Sequence, residues 1–295
     1  MLRIIALLGL WLAAGGLQAR AKAEMPTTAT PAVWTLKGGK ADVVFLGSIH
    51  LLPPGLKWRN AAIDQALAKA EVVVFEAPID SPMGGPGAEL MARKGELPPG
   101  KTLRDILKPA TWQRLRNAAW AVRFPAEHLV QFEPWMAAVT LEVSLYIHKG
   151  FSPWSGVDHL LEEEAEKVGK KLAYLETVEE QLNYLVKLPR AVGIRMLEAT
   201  IEGIETEPEL VLDLINAWAQ GDANAMWRIV EDSMGKVPEV EDALLRQRNN
   251  NWVPKIDKMI KSGQHHLIVV GAAHLAGPYS VIAQLRKQGY TIEGP

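Results

Sequence analysis

Hydrophobic positions along the chain fall into two periods, and their alternation sets the expected architecture. Short β-branched and aromatic runs bounded by turn residues read as strands. Ala32–Leu36 and Asp42–Leu46, joined across Lys37-Gly38-Gly39-Lys40, predict a β-hairpin. Trp58–Ala70 carries Ile63, Ala66, Leu67 and Ala70 at helical spacing, and the continuous run Val72–Phe75 follows it as a strand buried on both faces. Strand, helix and strand at this spacing form a βαβ unit. The Pro- and Gly-rich stretch 78–100 predicts a loop or lid. Leu103–Lys149 is helical, with the apolar run Glu133–His148 a core helix, short of the roughly 20 residues a membrane span needs.

Gly156–Val168 predicts another helix, capped near Ser155 or Asp158, and Lys171–Leu175 a strand entering Glu176. Val178 to about Met259 is helical, with breaks at Pro189, Pro208, Gly221 and Pro238. Strand character returns at His266–Val270, followed by a helix over Ser280–Gln288 and a last strand at Tyr290–Ile292. The order predicts an α/β fold: a central mixed, largely parallel sheet flanked by helices, with a large helical insertion. No compositional break marks a second domain.

The first 21 residues have a different pattern. A basic start at Arg3, an apolar run from Ile4 to Leu17 and the small-x-small sequence Ala19-Arg20-Ala21 predict a secretory signal peptide over residues 1–21, the alternative being an uncleaved membrane anchor, for which about fourteen apolar residues are short. The remaining domain is 22–295, and the expected location is the periplasm or outside the cell. After cleavage no stretch is long enough to span a bilayer. Arg3 and Arg20 leave with the signal, so 30 basic residues face 34 acidic ones and the net charge moves from −2 to −4. Without a basic stripe, nucleic acid is not an expected partner. The chain has no cysteine, which excludes disulfides, thiol nucleophiles and thiolate metal sites.

The feature that points to chemistry occurs twice. Val43–Leu51 runs on to Pro54 and Leu267–Leu275 to Pro278, each as four apolar residues, Gly, two spacers, His, Leu, two spacers and Pro. The second copy lies 224 residues after the first. Chance would place such a second copy in roughly one chain in a hundred of this length, or fewer. Glycine after a strand lets the backbone turn sharply or approach a ligand closely. His50 and His274 then stand beyond the carboxyl ends of their strands, where open α/β sheets bind ligands. Glu76 follows Val72–Phe75 at the same level, and Glu176 follows Lys171–Leu175. Two histidines with one or two carboxylates suit a divalent metal; with no thiolate, Mn²⁺, Co²⁺ and Zn²⁺ all fit.

A single histidine at a strand end is commonly a hydrogen-bonded turn residue, and Glu76 or Glu176 could equally be an ion-pair partner or helix cap. His128, His148, His159, His265 and His266 lack the repeated context and read as surface or capping residues, with the His265-His266 pair solvated. Arg246–Trp252 concentrates cations and amides in a helical stretch that is either a wet face or, in a cleft, a donor set for an oxyanion. Trp58, Trp154 and Trp252 could line such a cleft. Gly-x-Ser-x-Gly, His-Glu-x-x-His, P-loop and Gly-x-Gly-x-x-Gly patterns are all absent from the sequence.

Taken in order, these segments resemble the TraB/GumN family, related to the Tiki metalloproteases. The resemblance rests on Phe45–Pro53, Phe75-Glu76, Gly156-Val157-Asp158, Leu175-Glu176-Thr177, Glu180-Gln181, Arg248-Asn249 and Val270–Leu275, spread over about residues 40–292. Ser48 stands where the family more often has Thr. The resemblance implies that both Gly-x-x-His motifs and a glutamate share one active site, and that the protein is a metal-dependent hydrolase, on the Tiki pattern a peptidase. His50 and His274 would then be metal ligands and Glu76 a third ligand or the general base. Arg248 and Asn249 would stabilise a developing oxyanion. Peptides or small molecules are the expected substrates. The rival expectation is a non-catalytic periplasmic binding protein holding haem, a metal chelate or another small ligand. A third is an envelope interaction protein whose site is a relic.

Overall fold

The computed structural model describes residues 24–39, 41–78 and 85–295. Strands β1 (Val33–Lys37) and β2 (Val43–Ser48) lead to helix α1 (Ala61–Lys69) and strand β3 (Val72–Phe75). Helices α2 (Pro86–Gly95), α3 (Leu103–Ile106), α4 (Pro109–Ala121), α5 (Pro134–His148) and α6 (Val157–Lys167) precede strand β4 (Lys171–Tyr174). A second helical stretch holds α7 (Val178–Val186), α8 (Arg190–Thr206), α9 (Leu210–Ala219), α10 (Ala223–Met234), α11 (Pro238–Glu241) and α12 (Arg248–Ser262). Strand β5 (His266–Gly271), helix α13 (Val281–Lys287) and strand β6 (Thr291–Glu293) close the fold.

The six strands form one sheet in the order β4-β3-β5-β2-β1-β6. Pairings β4–β3, β3–β5 and β5–β2 are parallel, and β1 pairs antiparallel with both β2 and β6. The α/β fold with a mixed, mostly parallel sheet is therefore the one the sequence predicts. Every side chain of β3 is buried, as its unbroken apolar run requires. The placement of β5 decides the site. The sequence order joins β2 to β3 through α1, yet β5 inserts between them, so the second Gly-x-x-His motif lies directly beside the first and beside Glu76.

Helix starts follow local chemistry. The Asn60 carboxamide oxygen accepts from the Ala62 and Ile63 amides and starts α1, which buries Ile63, Ala66 and Leu67. Thr177 and Glu180 form a reciprocal capping box that turns the chain from β4 into α7. Two expectations fail. The 78–100 stretch is not all loop: Pro86 sits in the first turn of α2, where its fixed φ is pre-organised for a helix, and Ala88 and Met91 are buried. Nor is α6 capped by Ser155 or Asp158; its N-cap is Gly156, with no side-chain cap. Predicted residues 1–21 lie outside the described residues. Among the described residues no helix is long and apolar enough to cross a membrane.

Glu142 is buried within α5, and burial pushes its carboxyl well above the usual glutamate range. Folded protein therefore keeps a proton that the unfolded chain releases, so this group's contribution to stability is complete in acid and is lost as pH rises. Glu142→Gln fixes the neutral form. It should stabilise the fold by about 1–2 kcal/mol at pH 8 and by much less at pH 5, read from urea denaturation at the two pH values.

Candidate functional site

Four parallel strands, β2, β5, β3 and β4, end together. In the β2–β5 register Ser48 pairs with Gly271, so Gly47 faces Val270 and the two copies of the motif are offset by one residue across the sheet. His50 lies in the loop after β2, and His274 closes a short 3₁₀ turn, Ala272–His274, after β5. Glu76 and Glu176 follow β3 and β4, bound to each other through the backbone, the Glu176 amide donating to the Glu76 carbonyl at 2.8 Å. The chain between β4 and β5 returns to the same edge. A π-helical turn, Asp242–Gln247, runs into α12 at Arg248. Such turns rotate the following residues relative to an α-helix and are frequent at functional sites. Here Arg248, Asn249 and Trp252 point inward while Gln247, Asn250 and Asn251 face solvent. The polar run is thus both a wet face and a site face.

Arg248 is the centre of the site, 1% exposed. Its Nε donates to Glu176 Oε1 at 2.9 Å, and its Nη2 donates to Glu176 Oε1 at 2.7 Å and to Glu76 Oε2. Nη1 donates to the Leu244 carbonyl at 3.3 Å and meets His274 Nε2 at 3.0 Å. These contacts engage all five guanidinium N–H groups. Burial would favour the neutral guanidine, but Glu76 and Glu176 hold the side chain charged. Glu76 also accepts from the Gly271 amide at 2.6 Å and from Gln181 at 3.2 Å. Burial alone would raise its carboxyl; Arg248, His274, His50 and the Gly271 amide hold it down at about 2. Burial raises the Glu176 carboxyl, with Arg248 opposing the shift, and its Oε2 accepts from Trp252 Nε1 at 3.0 Å.

Each histidine presents Nδ1 to an oxygen. Asn249 Nδ2 donates to the Tyr279 carbonyl at 2.9 Å, which aims Oδ1 at His274 Nδ1, 2.7 Å away. That places the imidazole proton on Nδ1 and a lone pair on Nε2. The Trp252 ring covers His274 at 4.3 Å between centroids. Burial and Arg248 hold the His274 pKa down at about 3, so the ring is neutral. His50 Nδ1 stands 2.9 Å from Asp158 Oδ2, outside good hydrogen-bond alignment. Burial lowers the basicity of His50, but the charges of Asp158 and Glu76 outweigh it and raise its pKa.

Asp158 is the residue that reading it as a helix cap missed. Gly156-Val157-Asp158 works as a unit. A Cβ on Gly156 would lie 2.4 Å from the His50 carbonyl oxygen, so only glycine permits the approach. The Val157 amide donates to the Ile49 carbonyl at 3.0 Å, and Asp158 then faces His50. Trp218 and Gln181 are the other residues the sequence left unassigned; Trp218 Nε1 donates to the Gly47 carbonyl at 2.9 Å. Trp58 is buried in the core and Trp154 is 52% exposed. His266 corrects the expectation of a solvated pair: it is buried in β5 and donates from Nδ1 to the Gln264 carbonyl at 2.8 Å, while half-buried His265 accepts from the Asp42 amide.

Residues 32–294 match the model of the TraB/PrgY/gumN family. The chain belongs to that family. It is 22% identical over 260 residues to the Escherichia coli (strain K12) protein described as "Uncharacterized protein YbaP", covering 87% of this chain and 92% of that one. The Shigella flexneri protein of the same description matches at the same identity and coverage. "Metalloprotease TIKI1" of Danio rerio is 24% identical over 323 residues, covering 88% of this chain and 62% of the fish protein. No solved structure matches the chain.

The Tiki likeness hints at a metal and makes a hydrolase a possible function. Among the described residues no three His, Asp or Glu side chains are grouped to hold an ion as they stand. The local chemistry nevertheless suits one. Three of the four buried polar atoms without a hydrogen-bond partner, among the described residues, belong to Ser48, His50 and Asp158. Three carboxyl groups, Glu76, Asp158 and Glu176, surround the one guanidinium of Arg248, so acidic groups outnumber the cation. A Cβ on Gly271 would sit 3.1 Å from Glu76 Oε1, 3.5 Å from His274 Cδ2 and 3.7 Å from His50 Nε2. Gly271 thus keeps open the space between the three groups.

The two motif glycines differ in what they make room for. On Gly47 a Cβ would meet the Ala272 Cβ at 2.9 Å and Cα at 3.0 Å, a backbone contact that cannot yield cheaply. Gly47→Ala should cost about 1–3 kcal/mol of stability. Gly271 has φ −50°, open to alanine, so Gly271→Ala should melt near the wild-type temperature but lose divalent-metal binding. Thermal denaturation beside metal titration separates the two; a benign Gly47→Ala with an unfolded Gly271→Ala would invert the assignment.

Proposed function

We propose that the protein is an exported metal-dependent hydrolase, and that its substrates are peptides. The observation that carries this reading is the convergence of His50, Glu76 and His274 around Gly271, in a TraB/PrgY/gumN-family chain that is similar to a metalloprotease. The hydrophobic run and small-x-small sequence near the amino terminus support export to the periplasm or beyond.

His50 and His274 through Nε2, and Glu76 through its carboxylate, are the residues that would hold a divalent ion, with Mn²⁺, Co²⁺ and Zn²⁺ the candidates. When bound, such an ion polarises a scissile carbonyl and makes water acidic near neutral pH. Asp158 and Asn249 act behind the histidines: each sits at Nδ1 and orients the ring so that Nε2 faces the site. Of the two roles open to Glu76, its position favours the ligand: Oε1 lies 3.8 Å from His274 Nε2 and faces the space at Gly271. The haem alternative gains no support: His274 is 3% exposed and lies under Trp252, which leaves no room for a macrocycle at its ring.

The test is metal content and peptide turnover of the purified mature chain beside His50→Ala/His274→Ala. The expected result is near-stoichiometric divalent metal and peptide hydrolysis in the wild type, both lost in a double variant whose circular dichroism is unchanged. No metal in the wild type after incubation with Mn²⁺, Co²⁺ and Zn²⁺ in turn would sink the reading.

A further inference from the structure

The position of Arg248 conflicts with a simple view of this site as an open metal cup. The tautomer fixed by Asn249 gives His274 one free lone pair, on Nε2, and Arg248 Nη1 faces it at 3.0 Å. Nη2 bonds one oxygen of Glu76. The guanidinium therefore covers the free lone pair of His274 and one of the two Glu76 oxygens, Oε2; Oε1 is left to the Gly271 amide. Every one of its N–H groups is already engaged, so none is free for a developing oxyanion. As it stands, Arg248 can serve neither a metal nor a substrate.

A second resting place is built beside the first. Glu176 binds the guanidinium twice, through Nε and Nη2, and is itself fixed by Trp252 Nε1. The guanidinium carbon lies 4.6 Å from the centre of the Trp252 ring, so the aromatic face supports the charge as well. Glu176 takes two N–H groups, Nε and one of Nη2, whereas Glu76 takes the other Nη2 proton and His274 meets Nη1. The bonds to Glu76 and His274 are single, so a shift toward Glu176 gives them up and keeps the paired one.

We infer that Arg248 is a resident cation that shifts: it occupies the donors Glu76 and His274 in the metal-free protein and withdraws onto Glu176 and Trp252 when a divalent ion binds. The shift frees the Nη1 donor for the substrate oxygen, so loading the site also arms it. Glu176 is a positioning residue that takes up the guanidinium and touches neither ion nor substrate. This inference rests on the metal-dependent reading of the site.

The experiment is calorimetric titration of Zn²⁺ into chelator-stripped wild type, Arg248→Met, Glu176→Gln and the double variant, each checked by circular dichroism. Removing the competitor should tighten Zn²⁺ binding by about tenfold, and removing its parking carboxylate should weaken it by a similar factor. In the Arg248→Met background Glu176→Gln should change nothing. A plain loss of negative charge near the ion would weaken binding equally in both backgrounds, so the cycle separates the two causes. Arg248→Lys keeps the charge but cannot fork between Glu76 and His274; it should also tighten binding, and it stands in if Arg248→Met does not fold. Zn²⁺ binding that is unchanged or weaker in the folded Arg248 variants overturns this inference alone. No Zn²⁺ binding in any of the four proteins overturns it together with the metal-dependent reading.

Discussion

The buried ion cluster of Arg248 with Glu76 and Glu176 ties the fold to its site. The two carboxylates end adjacent parallel strands, β3 and β4, and the guanidinium begins α12, the helix that leads into the central strand β5. Breaking such a buried cluster from one side leaves uncompensated charge in a dry interior, which is costly, whereas the intact cluster is close to neutral in net effect. Its value is therefore in specification. It fixes which turn of α12 meets the sheet, and so where Asn249 and Trp252 fall relative to His274.

From that anchor the rest of the site follows in order. Asn249 sits one residue after Arg248 and reaches the His274 ring; Trp252, one helical turn on, covers that ring and bonds Glu176. One short helical segment thus controls the tautomer, cover and counter-charge of a histidine that arrives on a different strand. The first histidine is controlled independently by α6, through Gly156, Val157 and Asp158. The two histidines look alike in sequence but have opposite electrostatic settings. His274, dry and beside a cation, is held neutral, while His50, beside Asp158, gains basicity.

The sheet was legible because its strands are continuous apolar runs, and Val72–Phe75 and His266–Val270 needed no context to be read. The helix in 78–100 was not, because Pro86 at the first turn carries the same letter as proline in a loop, and the apolar face with Met91 is short. His50, Glu76, Glu176 and His274 were legible as strand-end residues, and the comparison with known families supports treating their segments together. Asp158 was hidden because a carboxylate near a helix start has an obvious local use, as a cap. Only the close approach of Gly156 to the His50 backbone, a contact between distant segments, shows that it is spent elsewhere. His266 was misplaced for a related reason: nothing in an adjacent His pair says which ring the first strand residue turns inward.

The duplicated motif invites a symmetric picture of two equivalent half-sites, and the geometry does not support one. The one-residue offset between Gly47 and Gly271 across the β2–β5 ladder points the two missing side chains at different neighbours. At Gly47 the absent Cβ lets the Ala272 turn pack onto β2, and at Gly271 it leaves space among Glu76, His50 and His274. The first glycine brings the two strand ends close; the second keeps a volume open once they are there. Both are required by the same site, one through packing and the other through access. The repetition of the letters therefore reports a shared location at the strand ends and not a shared role.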